Sequence, residues 1–583
     1  MFMLSSKNKF CCEVEMLDDY INDSKFLNDQ SITKEAASII ELCRKNKRHR
    51  TMLDAFLNEY GLDNDEGVAL MCLAESVLRI PDKKTRDLII SEKLSEGSWI
   101  DHLNKADSIF VNASTWGLLI AGKVVNTPVE WANNPYNFLS NLISKSGELP
   151  IRQAILTAMQ ILSKEFVIGR DFSDIKKLSN LEGNNYSFDM LGEAARTNEQ
   201  ADKYFSSYMN AIEEVGKLNL IHDLKNGVSI KISALHPRYE MRKIKDVENE
   251  LIPKLTELVK YAQTKDVEIT IDAEEQDRLS LSLHIIENLA FNKNLKDWPG
   301  FGVALQAYGK RSIEVIHWLN KILKKREGMH VRLVKGAYWD YEIKHAQVYG
   351  YEGYSVFSKK SLTDISFLLC AEAILKNQKI YPKFATHNAH TIASVHKIAQ
   401  DKNYEFQRLF GMGELLYSSA SKVLNLNKNP SVYAPIGSYK DLLPYLVRRL
   451  LENGANSSFI NKLLDKKTDS NWLAESPILR VKKEKKEIPL PREIYKKRKN
   501  SCGFDLSEYT NLNYLEKKLD ELSTKKISAE SIYAGRKNEE NISNKITSVS
   551  NDNEIGSVSF DDPLIIKNAL EKNKLCVWNK YTF

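Results

Sequence analysis

From Tyr186 onward the chain alternates short β-rich runs with longer amphipathic stretches. The runs are YSFDM (from Tyr186), VSIKIS (from Val228), EITIDA (from Glu268), GVALQA (from Gly302), HVRLVKGA (from His330), YPKFAT (from Tyr381), FQRLFG (from Phe406) and SVYAPIG (from Ser431). Between them lie segments such as ENELIPKLTELVKYAQ and RSIEVIHWLNKIL, whose apolar residues recur at helical spacing. Strand alternating with helix predicts parallel strands joined by crossovers. Eight such units in roughly 270 residues have the size of a closed (β/α)8 barrel, an α/β fold of the TIM type. A doubly wound sheet gives a similar alternation, but eight units favour closure.

The flanks carry other patterns. Residues 1–50 are polar and helix-prone and predict an N-terminal helical arm ending in the basic run CRKNKRHR, Cys43 to Arg50. No aromatic residues interleave those charges, so the run reads as a solvated helix face rather than a nucleic-acid contact. Residues 51–150 predict an all-helical domain: Asp63 and Glu66 have capping-box spacing, VALMCLAESVL follows, and Pro81 stands where that helix should stop. The barrel domain is placed at 151–460. Residues 461–500 read as a basic, proline-containing linker around KKEKKEIPLPREIYKKRKN, a solvated tether, with attraction to anionic lipid as its functional alternative. Residues 501–583 are polar with no clear core.

Composition narrows the class. The 583 residues are 43% hydrophobic and 27% charged, the balance of a globular protein. A net charge of +6 is too small for a dedicated nucleic-acid binder. Among seven cysteines the only adjacent pair is Cys11–Cys12, and there is no CxxC, which predicts free thiols in a reducing compartment. No run approaches the roughly 18 apolar residues of a membrane span, and MFMLSSKNKFCCEVE lacks the apolar core of a secretory signal. The expectation is a cytoplasmic protein, with peripheral contact at the inner face of the membrane left open.

Barrel active sites sit at the C-terminal ends of the strands. There the second run carries Lys231, the third Asp272 and Glu274, the fourth Gln306, the fifth Arg332 and Lys335, and the sixth His387 and Asn388. Any one of these could be a structural ion-pair partner; their convergence on one rim predicts a shared site. In DLLPYLVRRLLENGA, Arg448, Arg449 and Glu452 lie inside an apolar helical pattern, with Arg448 and Glu452 at i, i+4. Paired guanidinium groups suit capture of a carboxylate. HNAH (His387 to His390) has metal-like spacing but lacks the HExxH glutamate, and GMG (Gly411 to Gly413) lacks a third glycine, so both are set aside. Residue chemistry alone reaches a barrel enzyme for an anionic small molecule, with room for a large cofactor.

The motifs SIKISALHPRYE, ITIDAEEQDRLSLSL, VRLVKGAYWD, YPKFATHNAHT, YEFQRLFGMGE and YAPIGSYKDLLPYLVRRLLENGANSSF resemble the proline dehydrogenase part of the bifunctional proline utilization A flavoenzymes. FLNEYGLDNDEGVALMCLAESVLRIPD is similar to the helical domain that precedes that family's barrel, so the resemblance spans roughly residues 10–500. It implies bound FAD, hydride transfer from L-proline to the flavin, Δ1-pyrroline-5-carboxylate as product, and a membrane quinone as electron acceptor. It also implies that Lys231, Arg448 and Arg449 hold the proline carboxylate. Tyr338, Leu409 and Tyr433 would pack on the ring, Asp272 would order the site, and Glu452 would pair with the arginines. The implied cofactor shell is Gln306, Arg332, Val334, Lys335, Gly336, Ala337, Trp339, Thr386, His387, Asn388, Gln407, Ser458 and Phe459, with Lys359 where the family more often has arginine. No metal is implied.

Two departures from the family shape the expectations. The chain starts directly with the arm, without a ribbon-helix-helix segment, so no DNA partner is expected. PLPREIYKKRKNSCGFDLSE resembles only the start of an aldehyde dehydrogenase domain, so glutamate-semialdehyde dehydrogenase activity is not expected. The tail then reads as a remnant, disordered or a short helical cap. It belongs either to a decaying gene product or to a split system with a separate pyrroline-5-carboxylate dehydrogenase chain. The alternatives to an active dehydrogenase are a catalytically idle flavin-binding scaffold or regulator, and another flavin barrel enzyme such as a folate reductase.

Overall fold

The computed structural model describes residues 4, 6–13, 21, 27, 29–46, 82, 85, 166–176, 184–222, 224–437, 445, 448, 459–464, 468–484, 488–530, 532–533, 536–537, 543–550 and 552–573. Two compact units divide the chain, 1–507 and 508–583.

All eight sequence-predicted strands form. They are β1 (Tyr186–Met190), β2 (Gly227–Ile230), β3 (Glu268–Ile271), β4 (Phe301–Gln306), β5 (Met329–Val334), β6 (Ile380–Ala385), β7 (Glu405–Leu409) and β8 (Ser431–Ile436). They close in sequence order, every pair parallel, with Tyr186 opposite Val432 where β8 meets β1. The crossover helices include α1 (Asn198–His222), α2 (Ile252–Thr264), α3 (Leu279–Ala290), α4 (Ser312–Ile322), α5 (Trp339–Tyr349), α6 (Lys360–Leu375), α7 (Ala389–Ala399) and α8 (Glu414–Leu424). In α4, for example, Ile313, Val315, Ile316, Trp318, Leu319 and Ile322 are buried.

The lumen is not apolar. Contacts between non-adjacent strands have to cross the lumen, and they define polar layers. At the floor, Lys383 of β6 donates to Glu268 of β3 at 2.6 Å and lies 3.5 Å from Glu405. Above it, Thr270 meets His330 at 2.8 Å. Gly302 makes room for that histidine: a Cβ there would stand 2.1 Å from the imidazole. Burying charge is tolerable when each group is paired, so the floor reads as structural.

Two domain expectations change. Within 461–500 the stretch around 473–478 is buried, while Lys482, Lys483 and residues 495–499 are exposed as a solvated tether would be. Leu473, Ala474, Pro477 and Ile478 are buried, Ser361 at the start of α6 donates to Glu484 at 2.6 Å, and Tyr354 donates to the Pro489 carbonyl at 2.6 Å. Its polar residues bind specific main-chain and side-chain partners, which composition does not reveal. The tail is neither a short helical cap nor without regular structure. Its first residues, 501–507, belong to the barrel unit. The second unit holds a helix (Tyr509–Ser523), a two-stranded ribbon, a three-stranded sheet (Ile527–Ala529, Ser543–Thr547, Glu554–Ser559) and a helix (Pro563–Asn573). The expectation that it lacks a clear core fits the Tyr509–Ser523 helix, which buries no residue.

In the arm, a helix spans Gln30–Lys45 and buries Ile32, Ala36, Ile39, Ile40 and Cys43 on one face. Arg44, read as part of a solvated run, instead donates to the carbonyls of Lys462 and Leu463. It thereby satisfies acceptors left open at the end of the Phe459–Leu464 helix. The predicted capping box at Asp63 and Glu66 lies outside the described residues.

Candidate active site

The strand ends at the C-terminal mouth gather one charged cluster. Lys231, just past β2, donates to Asp189 of β1 at 2.5 Å and lies 3.4 Å from the Tyr433 hydroxyl of β8 and 3.6 Å from Asp272. Tyr433 donates to Asp272 Oδ2 at 2.8 Å. Arg332 of β5 spans the lumen, donating to Asp272 Oδ1 and to Ser187 Oγ, both at 2.7 Å, with its guanidinium 5.1 Å from the Tyr433 ring centre. Five strands thus contribute to one hydrogen-bonded layer. Burial would drive the Lys231 ammonium down, but Asp189, Tyr433 and Asp272 outweigh it and hold the ammonium well above its usual range. Burial also raises Asp189, against the pull of Lys231.

A second group stands beside the first. Arg448 forms a two-pronged pair with Glu193, in the loop after β1, at 2.6 and 2.8 Å, and covers the Tyr338 ring at 5.0 Å. Burial opposes the charge on Glu193, yet Arg448 holds its carboxyl below the usual range, and Lys231 acts in the same direction. Arg448 in turn feels Tyr433. The two groups therefore share one field. Glu274 accepts from the Ser233 amide at 3.0 Å and from the Ser233 hydroxyl, and Arg278 reaches it at 3.3 Å. Burial pushes the Glu274 carboxyl up to about 7.

The cradle expected to be cationic is internally balanced. Lys231, Arg332 and Arg448 each have a carboxylate: Asp189, Asp272 and Glu193. Asp189 and Glu193 were missed from the sequence. Asp189 is the one charge inside the YSFDM run, the same kind of signal that singled out Arg332, and it could have been found that way; Glu193 has no such signature. Arg449, Glu452 and Ser458 lie outside the described residues, so the expected Arg448–Glu452 pairing does too; the partner observed for Arg448 is Glu193.

The residues expected to hold a cofactor line the β4–β7 side of the same mouth. Gln306 donates to the Glu274 carbonyl at 2.7 Å and accepts from the Ala337 amide at 3.4 Å. Lys335 pairs with Asp364 and lies 3.2 Å from Thr391; burial lowers its ammonium to about 8. Val334 ends β5 and is half-buried. Gly336 has φ +138°, and a Cβ there would stand 2.4 Å from the Tyr308 ring, so both conformation and space demand glycine. Trp339 donates to the Phe357 carbonyl at 2.9 Å, and Lys359 is the N-cap residue of α6. The Thr386 carbonyl accepts from Tyr417 at 2.8 Å, His387 accepts from the Leu409 amide at 3.2 Å, and Asn388 caps α7 through the Thr391 amide at 3.1 Å. Gln407 donates to Ser431 at 3.1 Å, and Phe459 is buried at a helix start. The side-chain carbonyl of Gln407, Nε of Arg332 and Nε of Arg448 are buried without a hydrogen-bond partner. Buried polar atoms left unpaired at one mouth are what a bound polar group would satisfy. The residue set fits a flavin.

The histidine motif set aside above stays aside. His390 is buried against Ser394, which lowers its imidazole to about 4, chiefly through burial. No cluster of metal-binding side chains occurs among the described residues. No helix among them is long and apolar enough to cross a membrane.

A closed parallel barrel whose ionisable side chains converge at the C-terminal strand ends has the architecture of an α/β-barrel enzyme. Residues 173–462 match the family model described as proline dehydrogenase, and residues 52–166 match that of the DNA-binding domain of proline dehydrogenase. The chain belongs to the proline dehydrogenase family, in the form found in proline utilization A proteins. It is 44% identical to the bifunctional protein PutA of Escherichia coli (strain K12) over 503 residues, 82% of this chain and 38% of that protein. It is also 44% identical to that of Klebsiella aerogenes over 494 residues, 80% of this chain and 37% of that one. A solved structure of Bradyrhizobium japonicum proline utilization A superposes with a TM-score of 0.69 at 37% identity, covering 91% of this chain and 54% of the other. The chain therefore spans well under half the length of the curated relatives it matches. The description of the second family model names DNA binding, against the expectation of no DNA partner. That stretch lies outside the described residues apart from Asp82, Thr85 and Phe166.

Proposed function

We propose that the chain oxidises L-proline to Δ1-pyrroline-5-carboxylate with FAD bound at the barrel mouth, a quinone taking the electrons onward. The observation that carries this reading is the charge balance of the mouth. Free proline is a zwitterion, with an anionic and a cationic end on one small ring. A site in which Lys231, Arg332 and Arg448 stand beside Asp189, Asp272 and Glu193 offers partners to both ends without net charge to neutralise. Lys231 and Arg448 hold the carboxylate, and charge-assisted hydrogen bonds from two sides fix its pose. Tyr338, Leu409 and Tyr433 supply the wall for the ring carbons. Asp272, gripped by Arg332 and Tyr433, keeps both of those groups oriented. FAD supplies the hydride acceptor; Gln306, Arg332, Lys335, Gly336, Trp339, Asn388 and Gln407 would hold it. Arg332 places a fixed positive charge at the mouth, where it favours charge gathered on the cofactor during reduction.

Visible spectroscopy of the purified protein tests the reading. A flavin spectrum that L-proline bleaches without oxygen is the expected result. A flavin spectrum that proline leaves unchanged would make the chain an idle scaffold, and bleaching by a reduced nicotinamide instead would make it another flavin enzyme.

A further inference from the structure

The N-terminal segment 8–13 does not lie free. Glu13 receives the Ser358 amide at 3.0 and 3.1 Å and the Ser358 hydroxyl at 2.8 Å. Lys310, 3% exposed, donates to the Cys11 carbonyl at 3.0 Å and lies 3.5 Å from Glu13. The Phe10 ring packs at a tilt on Tyr351, ring centres 5.6 Å apart, and its backbone lies so close to Gly353 that a Cβ there would stand 3.0 Å from the Phe10 carbonyl. Lys9 is 1% exposed and binds Asp505 and Ser507, each at 2.7 Å, with Asp277 at 3.5 Å. Asn8 reaches Glu314 on α4 at 3.3 Å.

The three hydrogen bonds that Glu13 accepts from Ser358 fall on a single turn. The Ser358 that Glu13 holds lies between Phe357 and Lys359. The Phe357 carbonyl fixes the Trp339 indole, and the Phe357 amide donates to the Tyr308 carbonyl at 2.8 Å. Tyr308 is the ring that forces glycine at position 336. Trp339, Gly336 and Lys359 all belong to the proposed cofactor shell. Tyr308, Tyr351, Tyr354 and Val356 form one buried cluster against which Phe10 and Trp339 pack. The 350–359 loop is thus gripped from one side by segment 8–13 and from the other by Pro489, through Tyr354. Lys9 and Asp505 tie the two grips together.

We propose that segment 8–13 is a clamp on the cofactor loop, with Glu13 as a positioning residue for Trp339 and Lys359 and the Lys9–Asp505 pair as its latch. Clamp docking and flavin binding are then linked. Whatever factor the docked clamp adds to flavin affinity, bound flavin adds to clamp docking. The inference rests on the flavin reading above. A carboxylate suits the task because it takes two donors of one residue at once, and hydrogen bonds to a charged acceptor are stronger than neutral ones.

The test uses the full chain stripped of flavin and titrated with FAD, alongside hydrogen exchange of residues 350–360. Glu13→Ala should weaken FAD binding about tenfold, the fold-change that corresponds to about 1.4 kcal/mol, and should speed exchange in that loop. Glu13→Gln, which keeps one acceptor, should fall between. In the parent, FAD should slow exchange at residues 8–13. Glu13→Ala with unchanged affinity and unchanged loop exchange would overturn the clamp. Should Glu13→Ala fold poorly, Ser358→Ala removes only the hydroxyl contact and should weaken FAD two- to threefold, about 0.4–0.7 kcal/mol; no weakening there would equally overturn it. A parent chain that takes up no flavin defeats the cofactor reading alone, and the clamp is then judged on whether Glu13→Ala loosens residues 350–360.

Discussion

Replacing Lys231 by methionine removes the ammonium 2.5 Å from Asp189 and leaves that carboxyl fully buried. Breaking a buried pair from one side typically destabilises by about 3–5 kcal/mol. Protonation sets a ceiling on the loss. A carboxyl with an unfolded pKa near 3.9 can be neutralised at pH 7 for about 1.36 kcal/mol per unit, or roughly 4 kcal/mol, and at pH 5 for roughly 1.5 kcal/mol. In the variant, Asp189 binds its proton in the folded state while the unfolded chain does not, so the folded state binds more protons. Stability relative to the parent must then fall as pH rises from 5 to 7, by about 1.4 kcal/mol per unit. In the parent, burial raises the Asp189 carboxyl but Lys231 opposes that rise, so the slope is weaker. Urea unfolding of flavin-free protein at pH 5, 6 and 7 measures the difference. The double variant Lys231→Met, Asp189→Asn should recover most of the stability and none of the proline-driven bleaching. A stability loss independent of pH would refute the assignment of Asp189 as the partner that Lys231 neutralises, and recovered turnover in the double variant would refute the role of Lys231 in substrate binding.

Arg448→Met should raise the half-saturating proline concentration about a hundredfold while flavin stays bound, since about 1.4 kcal/mol accompanies each tenfold step and two charge-assisted hydrogen bonds are lost; steady-state kinetics beside the flavin spectrum separates the effects. Gly336→Ala should abolish flavin uptake, because the added Cβ meets the Tyr308 ring at 2.4 Å on a backbone at φ +138°; a yellow purified variant would contradict the cradle. Burial holds the Lys335 ammonium near 8, so FAD affinity should decline between pH 8 and 10. Over the same range the flavin-free chain gains stability from this group as pH rises, because the unfolded lysine keeps its proton longer. In Lys335→Arg, whose guanidinium stays charged, the decline in affinity should vanish from flavin titrations.

Much of the barrel was legible because its signals are local. Each strand run is bounded by turn residues and followed by a helix-length amphipathic stretch, and all eight formed where the pattern placed them. Lys231, Asp272, Arg332 and Tyr433 were legible as polar residues at strand ends. What stayed hidden depends on closure. Asp189 carries the same in-run charge signal as Arg332, but its partners emerge only when the parallel pairing of β1 with β8 and β2 brings it against Lys231 and beside Tyr433. Glu193 sits in a loop, and 255 positions separate it from Arg448. The clamp residues Lys9 and Glu13 are hidden for the same reason. Lysine and glutamate in a polar terminal segment look solvated until partners hundreds of positions away bury them. The buried part of segment 461–500 misled in the same direction, since the composition is that of a tether while its contacts are those of a docked strap.

Floor and mouth of the barrel show why charge alone does not mark a site. Lys383 with Glu268 and Glu405 is as buried as Lys231 with Asp189 and Asp272. The difference lies in what remains unsatisfied. At the floor, the Tyr381 hydroxyl and Ser431 also feed Glu405, so the acceptors are spoken for. At the mouth, Nε of Arg332 and Nε of Arg448 have no partner, and the Tyr308 ring packs directly on Gly336. Unpaired buried donors and acceptors are tolerated only where something else completes them. Lys383→Met should therefore lower stability by about 3–5 kcal/mol, and flavin-loaded protein that stays folded should bleach with proline at the parental rate. A floor variant that folds but has lost proline response would mean that the two layers are coupled and that the division drawn between them is wrong.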